Sequence, residues 1–283
     1  MVEGAAHAGE ASQPRFLKVG VERSEREPFI APGNPYATIW RYLDFTKFVA
    51  LLDTRELFFA PVAAFEDQFE GSYSSLNIDG RKDFWARNFE DSSPEQMAAS
   101  HAELARELPR WVFANCWSLS ESESAAFWGL YVPVSGGVAV RSTVQRLTEC
   151  FDSPESTVQE LDPLYVGKVD YLDYSKDLIP QHDLLYPFVH KRRSFEFESE
   201  LRAVITHFPE GEDPEGGVSA EELRDATPPE GLTVAVDVER LVEAVYVSPT
   251  APPWFFELVS SVVERYECFA EVTQSSLSAE PLF

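Results

Sequence analysis

Apolar residues recur with period two in some stretches of the chain and near period 3.6 in others, and the two rhythms mix without a regular β-α-β order. The ordered pattern begins at Ile39-Trp40-Arg41-Tyr42, which predicts an aromatic strand. Asp44 or Thr46 is placed to cap the next helix, whose apolar stripe is Phe45, Phe48, Val49 and Leu52. Leu57 to Ala60 predicts a second strand, stopped by Pro61. Residues 80–110 read as helical, with a second helix starting at Ser93-Pro94. Trp111 to Ser118 predicts a strand, and a helix then carries Phe127, Trp128 and Tyr131. Gly136-Gly137 turns the chain into a Val-rich strand at 137–141, followed by a helix over 142–151. Next come a strand from Val166 to Tyr171, a helix over 181–190, and a strand over 196–206. Leu232 to Val236, a helix at 238–243, the strand Ala244 to Val247, a helix from Pro253 to Tyr266 and a strand from Cys268 to Thr273 close the pattern.

Short strands mixed with helices predict an α+β fold: one domain over residues 36–283 with a mixed or antiparallel sheet and peripheral helices. Residues 1–35, rich in Ala, Gly, Ser, Glu and Pro, read as a flexible leader. Residues 209–231, acidic and rich in Pro and Gly, read as a surface-loop insertion. The chain has neither a GxGxxG fingerprint nor a P-loop.

Charge narrows the function classes. The chain holds 48 acidic against 23 basic residues, a formal net charge of -25, and only six of the basic residues are Lys. An acidic, Lys-poor composition is what a salt-tolerant or halophilic protein uses to stay hydrated. It excludes a broad nucleic-acid surface, which needs a clustered basic footprint. Cys116, Cys150 and Cys268 are too far apart for a Cys-rich zinc site or a disulfide framework. No run of about 18 apolar residues predicts a membrane span, so no membrane partner is expected and a cytoplasmic location is the default.

The chemistry-bearing residues concentrate in Phe195–Ile205. As a continuous strand this segment points Glu198, Glu200 and Arg202 to one face, each about 7 Å from the next. Arg41, between Trp40 and Tyr42, is either an anion clamp or a structural partner of Asp44 or Asp67. In the loop Phe65–Gly71, Asp67 or Glu70 is placed to bind a metal, to orient Arg41, or to cap a turn. Ser118 and Ser120 share a strand face, which suits positioning of a ribose or a carboxylate. Trp128 and Tyr131 share a helical face and are either core or a stacking platform for a base. Asp67, Glu70, Glu198 and Glu200 are also the hard-oxygen ligands that a metal-dependent phosphoesterase needs, although no metal is assigned. The histidines at 7, 101, 182, 190 and 207 show no ligand spacing, and His190 alone stands as an acid/base candidate.

Taken in order, Arg41-Tyr42, Phe65/Asp67/Phe69/Glu70, Cys116-Trp117-Ser118, Trp128/Tyr131, Gly137–Val140, Val169/Tyr171 and Lys191/Phe195/Glu198/Glu200/Arg202 resemble the signature of an uncharacterised prokaryotic family, a domain of unknown function. The resemblance covers roughly residues 39–275, and Gln68 stands where the signature has Pro. The sequence is more weakly similar to ADP-ribosyltransferases, in the order Arg, Ser, Glu. That likeness implies a split sheet, NAD as substrate, Arg41 on the NAD phosphates or ribose, and Ser118 bracing the site. It further implies Glu200 on the ribose 2'-hydroxyl and Glu198 on the acceptor, in a toxin or phage-defence effector. The alternative is a non-catalytic module that binds a nucleotide or a protein partner.

Overall fold

The computed structural model describes residues 29–30, 32–88, 93–133, 136–152, 164–209, 217–279 and 281. Most of the expected leader, residues 1–28, lies outside the described residues. Within the span expected as leader, Ile30 bridges Lys168 and Phe29 stacks on Tyr165 with ring centres 4.8 Å apart.

Strand β1 (Thr38–Asp44) leads into helix α1 (Phe45–Thr54), capped by the Asp44 carboxylate accepting from the Lys47 N–H at 2.9 Å. Strand β2 (Glu56–Pro61) follows after Arg55 turns the chain in the left-handed region, φ 56°. Helices α2 (Ser75–Asn88) and α3 (Pro94–Glu107) form a hairpin, and Ser93 caps α3 ahead of Pro94 as the sequence predicts. Then come β3 (Val112–Leu119), α4 (Ala125–Tyr131), β4 (Gly137–Thr143) and α5 (Val144–Glu149).

The next third departs from the sequence pattern. The expected strand Val166–Tyr171 is two strands, β5 (Leu164–Lys168) and β6 (Asp170–Leu172), in different sheets. The expected helix at 181–190 is a loop with a single 3-10 turn at Tyr186–Phe188, running into β7 (His190–Arg192). Pro180 and Pro187 remove helical donors there, and buried Asn77 holds the segment by bonding both the N–H and the carbonyl of Ile179. The expected strand 196–206 begins only at Glu200: Arg193–Glu198 is a 3-10 turn, Ser199 sits at φ 43°, and β8 spans Glu200–Thr206. The acidic insertion contains helix α6 (Ala220–Asp225), fixed by a Ser219–Glu222 capping box and by fully buried Leu223. Strand β9 (Leu232–Ala235), α7 (Val238–Leu241), β10 (Ala244–Val247), α8 (Pro253–Arg265) and β11 (Glu271–Gln274) complete the chain.

Nine strands form one mixed sheet, giving the single α+β domain expected from the sequence. Strand β3 is its hub. One edge pairs antiparallel with β8 from Val112↔Thr206 to Ser118↔Glu200. The opposite edge is shared, with β1 at Ile39↔Leu119 and Trp40↔Ser118, and β2 at Ala60↔Ala114 and Pro61↔Phe113. The sheet therefore forks at β3, and the Asn115 side chain closes the fork by donating to the Phe58 carbonyl at 2.9 Å. Alternation sends Phe113, Trp117, Leu201 and Ile205 into the large core under α1, α5 and α8. Ala114 and Val204 point to the other face, against α3, α6 and Phe188. Among the described residues no helix is long and apolar enough to cross a membrane.

Candidate functional site

Register determines which charged side chains meet. Glu200 lies opposite Ser118 and Arg202 opposite Cys116, so all four share the face of β3 and β8 that looks toward Phe188. Strand β7 delivers Lys191 to the same place. The fourth contributor, Glu70, ends a tight turn held by Glu70 N–H to the Asp67 carbonyl (3.0 Å) and Phe69 N–H to the Asp67 carboxylate (3.1 Å). Gly71 continues that turn at φ 71°, where a Cβ would lie 2.5 Å from the Phe188 ring, so only glycine lets the turn approach so closely.

The result is a buried ionic network, in which Glu70 Oε2 has no hydrogen-bond partner among the described residues. The Lys191 ammonium donates to Glu198 at 2.6 Å and to Glu200 at 3.3 Å and is ion-paired with Glu70 at 3.1 Å. Arg202, fully buried, donates to both oxygens of Glu200 (2.8 and 3.0 Å), to Glu70 (2.9 Å) and to the Phe188 carbonyl (2.8 Å). The 3-10 turn before β8 is what brings Glu198 back onto Lys191. The Ser118 hydroxyl pins that turn by donating to the Glu198 carbonyl at 2.9 Å. Tyr171 accepts the Glu200 N–H at 2.8 Å, and Tyr131 donates to Glu198 at 3.1 Å.

Electrostatics follow from this geometry. Burial pushes the Glu200 carboxyl up, but Arg202 and Lys191 overcome it and hold the group at about 2. Burial pushes Lys191 down, yet Glu200 and Glu70 hold it above its ordinary range. Glu198 goes the other way: burial, with repulsion from Glu200, outweighs its hydrogen bond to Lys191 and keeps it above the usual carboxylate range. Burial and then Glu200 raise the Cys116 thiol, which leaves it protonated and a poor nucleophile.

Of the sequence candidates, Glu70, Ser118, Tyr131, Glu198, Glu200 and Arg202 converge here. Arg41 does not. It shares its face with Ile39 and Leu43, whereas Glu200 shares a face with Ser118 and Trp40, so Arg41 and Glu200 lie on opposite sides of the sheet. The Arg41 guanidinium lies 5.9 Å from the centre of the Trp117 ring, and burial lowers it to about 10. Its expected partners are engaged elsewhere, Asp44 as the α1 cap and Asp67 with Arg192 (2.6 and 3.2 Å). Trp128 is buried against Trp40, Tyr42 and Ala139, with its ring N–H on Glu123, so it is core and not a stacking platform. Asp67 lines a shallow pocket of about 390 Å³ with Glu66, Gln68, Phe69, Arg192 and Phe195, in which Arg192 lies 4.3 Å over Phe69 and 5.4 Å over Phe195.

The carboxylates surround Lys191 instead of a metal ion, and among the described residues no group of three His, Cys, Asp or Glu side chains has the geometry to hold one. His190 is buried and bonds the Tyr186 carbonyl at 2.6 Å, a structural contact. Sequence reasoning placed Lys191 in a motif but missed that it is the centre of the site. The available signal was a lysine two positions after the apolar pair Phe188-Val189, a context that buries its neighbours. No family model matches the chain, and neither a curated protein nor a solved structure matches it significantly.

Proposed function

We propose that the chain is a non-catalytic binding module whose ionic network is a rigid platform and whose rim recognises a partner. One observation carries this reading: Lys191 is ion-paired to three carboxylates, and both Glu200 oxygens are engaged inside the network. A phosphate approaching Lys191 meets the three carboxylates around it, and a ribose hydroxyl would have to displace Arg202 from Glu200. Three carboxylates against two cations leave the network formally negative. Around Glu198 the rim exposes Tyr131 and Phe197. An acidic group framed by aromatic and apolar surface suits a partner that presents an ammonium or guanidinium beside an apolar side chain. The chain's net charge of -25 attracts such a partner.

The test is an NMR titration with an arginine- and leucine-containing peptide and, in parallel, with ADP-ribose. The peptide is expected to bind, and Glu198→Gln or Tyr131→Ala to weaken it about tenfold, or about 1.4 kcal/mol. Binding of ADP-ribose alone would overturn the reading.

A second reading, an ADP-ribosyltransferase-like enzyme using NAD, is favoured by the Ser118 hydroxyl bracing the turn that carries Glu198, two residues from Glu200. It requires nicotinamide release that Glu200→Gln abolishes. Release retained by that variant, or absent from the wild type, removes it.

A further inference from the structure

Away from the ionic network, the α2–α3 hairpin encloses a second polar cluster with the opposite character. Tyr73, Arg81 and His101 meet there. The Tyr73 and His101 rings are 5.1 Å apart, the Arg81 guanidinium lies 5.9 Å from the Tyr73 ring centre, and Trp85 packs 5.6 Å from His101. Tyr73 and His101 are each 6% exposed. The Tyr73 hydroxyl, the Arg81 Nε and both ring nitrogens of His101 are shielded from solvent, and none has a hydrogen-bond partner among the described residues. Each such group costs about 1–3 kcal/mol, so a cluster of them calls for an absent partner.

The charges indicate what the partner is. Arg81 forms no ion pair among the described residues. Lys82 is taken by Glu95, and Arg106 adds positive potential beside Arg81. Asp183, the acid that acts on Tyr73, accepts from the Leu185 N–H at 2.8 Å in its own turn. Neutral imidazole offers one N–H and one lone pair. With Arg81 Nε–H and Tyr73 O–H, the cluster therefore presents three donors, against the imidazole lone pair and the Tyr73 oxygen as acceptors.

We propose that this cluster binds a protonated oxyanion, inorganic phosphate or a phosphomonoester end, with Arg81 and Tyr73 donating to its oxygens and His101 accepting its P–OH proton. Arg81 is half-buried, so an anion would reach the cluster from its side. Sulfate, which carries no proton near neutral pH, leaves the imidazole lone pair unfilled and binds more weakly.

Calorimetric titration of the full chain with inorganic phosphate, sulfate and glycerol phosphate tests this. Phosphate is expected to bind at one site, to beat sulfate, and to shift the His101 imidazole NMR signals. Arg81→Gln should weaken phosphate about tenfold or more. His101→Phe should equalise phosphate and sulfate, and Arg81→Lys, which keeps the charge, should retain part of the affinity and shows that loss in Arg81→Gln is not unfolding. Tighter binding of glycerol phosphate assigns the site to an ester, and the reverse order to the free ion. Equal phosphate affinity in wild type and Arg81→Gln, or no heat and no His101 shift at about 10 mM phosphate, overturns the proposal.

Discussion

Two buried polar clusters in one domain obey opposite rules. Around Lys191, three carboxylates lie within ion-pair distance of the ammonium and Arg202 has both oxygens of Glu200. Around His101, four enclosed polar atoms have no partner among the described residues. The first cluster is joined by ion pairs and hydrogen bonds, with Glu70 Oε2 left without a hydrogen-bond partner among the described residues, so its parts are interdependent and removing one strands the others. The second has few such links, so removing one of its unpartnered groups costs little. The share of polar atoms that find a partner, more than the number of charges, separates the two clusters.

The largest expected contrast is in truncation. Arg202→Met should cost about 3–5 kcal/mol, because it leaves Glu70 and Glu200 buried with a single shared cation. His101→Phe should cost less than about 1 kcal/mol in the absence of phosphate. Urea unfolding at neutral pH reads both; a cost below about 1 kcal/mol for Arg202→Met would break the comparison.

Acid unfolding separates the clusters by pH window. Glu200 has a folded value of about 2, below its ordinary 4.5, so the unfolded chain takes up the proton first and stability is lost as pH falls from about 4.5 toward 2. His101 is lowered, by burial first and then by Arg81, from 6.5 to about 4. Its neutral form is favoured in the fold, so stability is lost as pH falls from about 6.5 to 4. His101→Phe should flatten the upper window and Glu200→Gln the lower one, measured as urea midpoint against pH. A single slope removed by either variant would mean that the two clusters are not independent.

The smallest effects lie in the hydroxyls. Tyr131→Phe removes the hydrogen bond to Glu198 and should cost about 0.5–1.5 kcal/mol. Tyr73→Phe removes an unpartnered group and should be neutral or stabilising, by up to about 1 kcal/mol. Thermal midpoints of the two variants side by side decide whether their signs differ.

Much of this was legible in the sequence. The caps at Asp44 and Ser93, the strand core around Val112 to Ser118, and the α+β class follow from short-range patterns that tertiary structure does not override. What was not legible depends on long-range pairing. Glu198, Glu200 and Arg202 have strand spacing, and only the left-handed Ser199 and the closing Ser199 N–H to Glu196 carbonyl bond turn Glu198 off the strand and onto Lys191. Arg41 precedes Tyr42 in a motif, but its side is decided by the register of β1 on β3, which the segment itself does not encode. The segment 181–190 carries helical apolar spacing, and its prolines and the grip of Asn77 on Ile179 defeat it.

The span of the ionic network has a consequence for how the chain is made. Glu70 and Arg202 are joined across 132 positions of sequence, and Lys191 arrives only shortly before Arg202. A growing chain emerging from the ribosome in N-to-C order has its turn at Asp67–Gly71 and its hub strand β3 available long before either cation that neutralises Glu70 has been synthesised. The native pairing of that carboxylate, and with it closure of the face, requires the strand that carries Arg202.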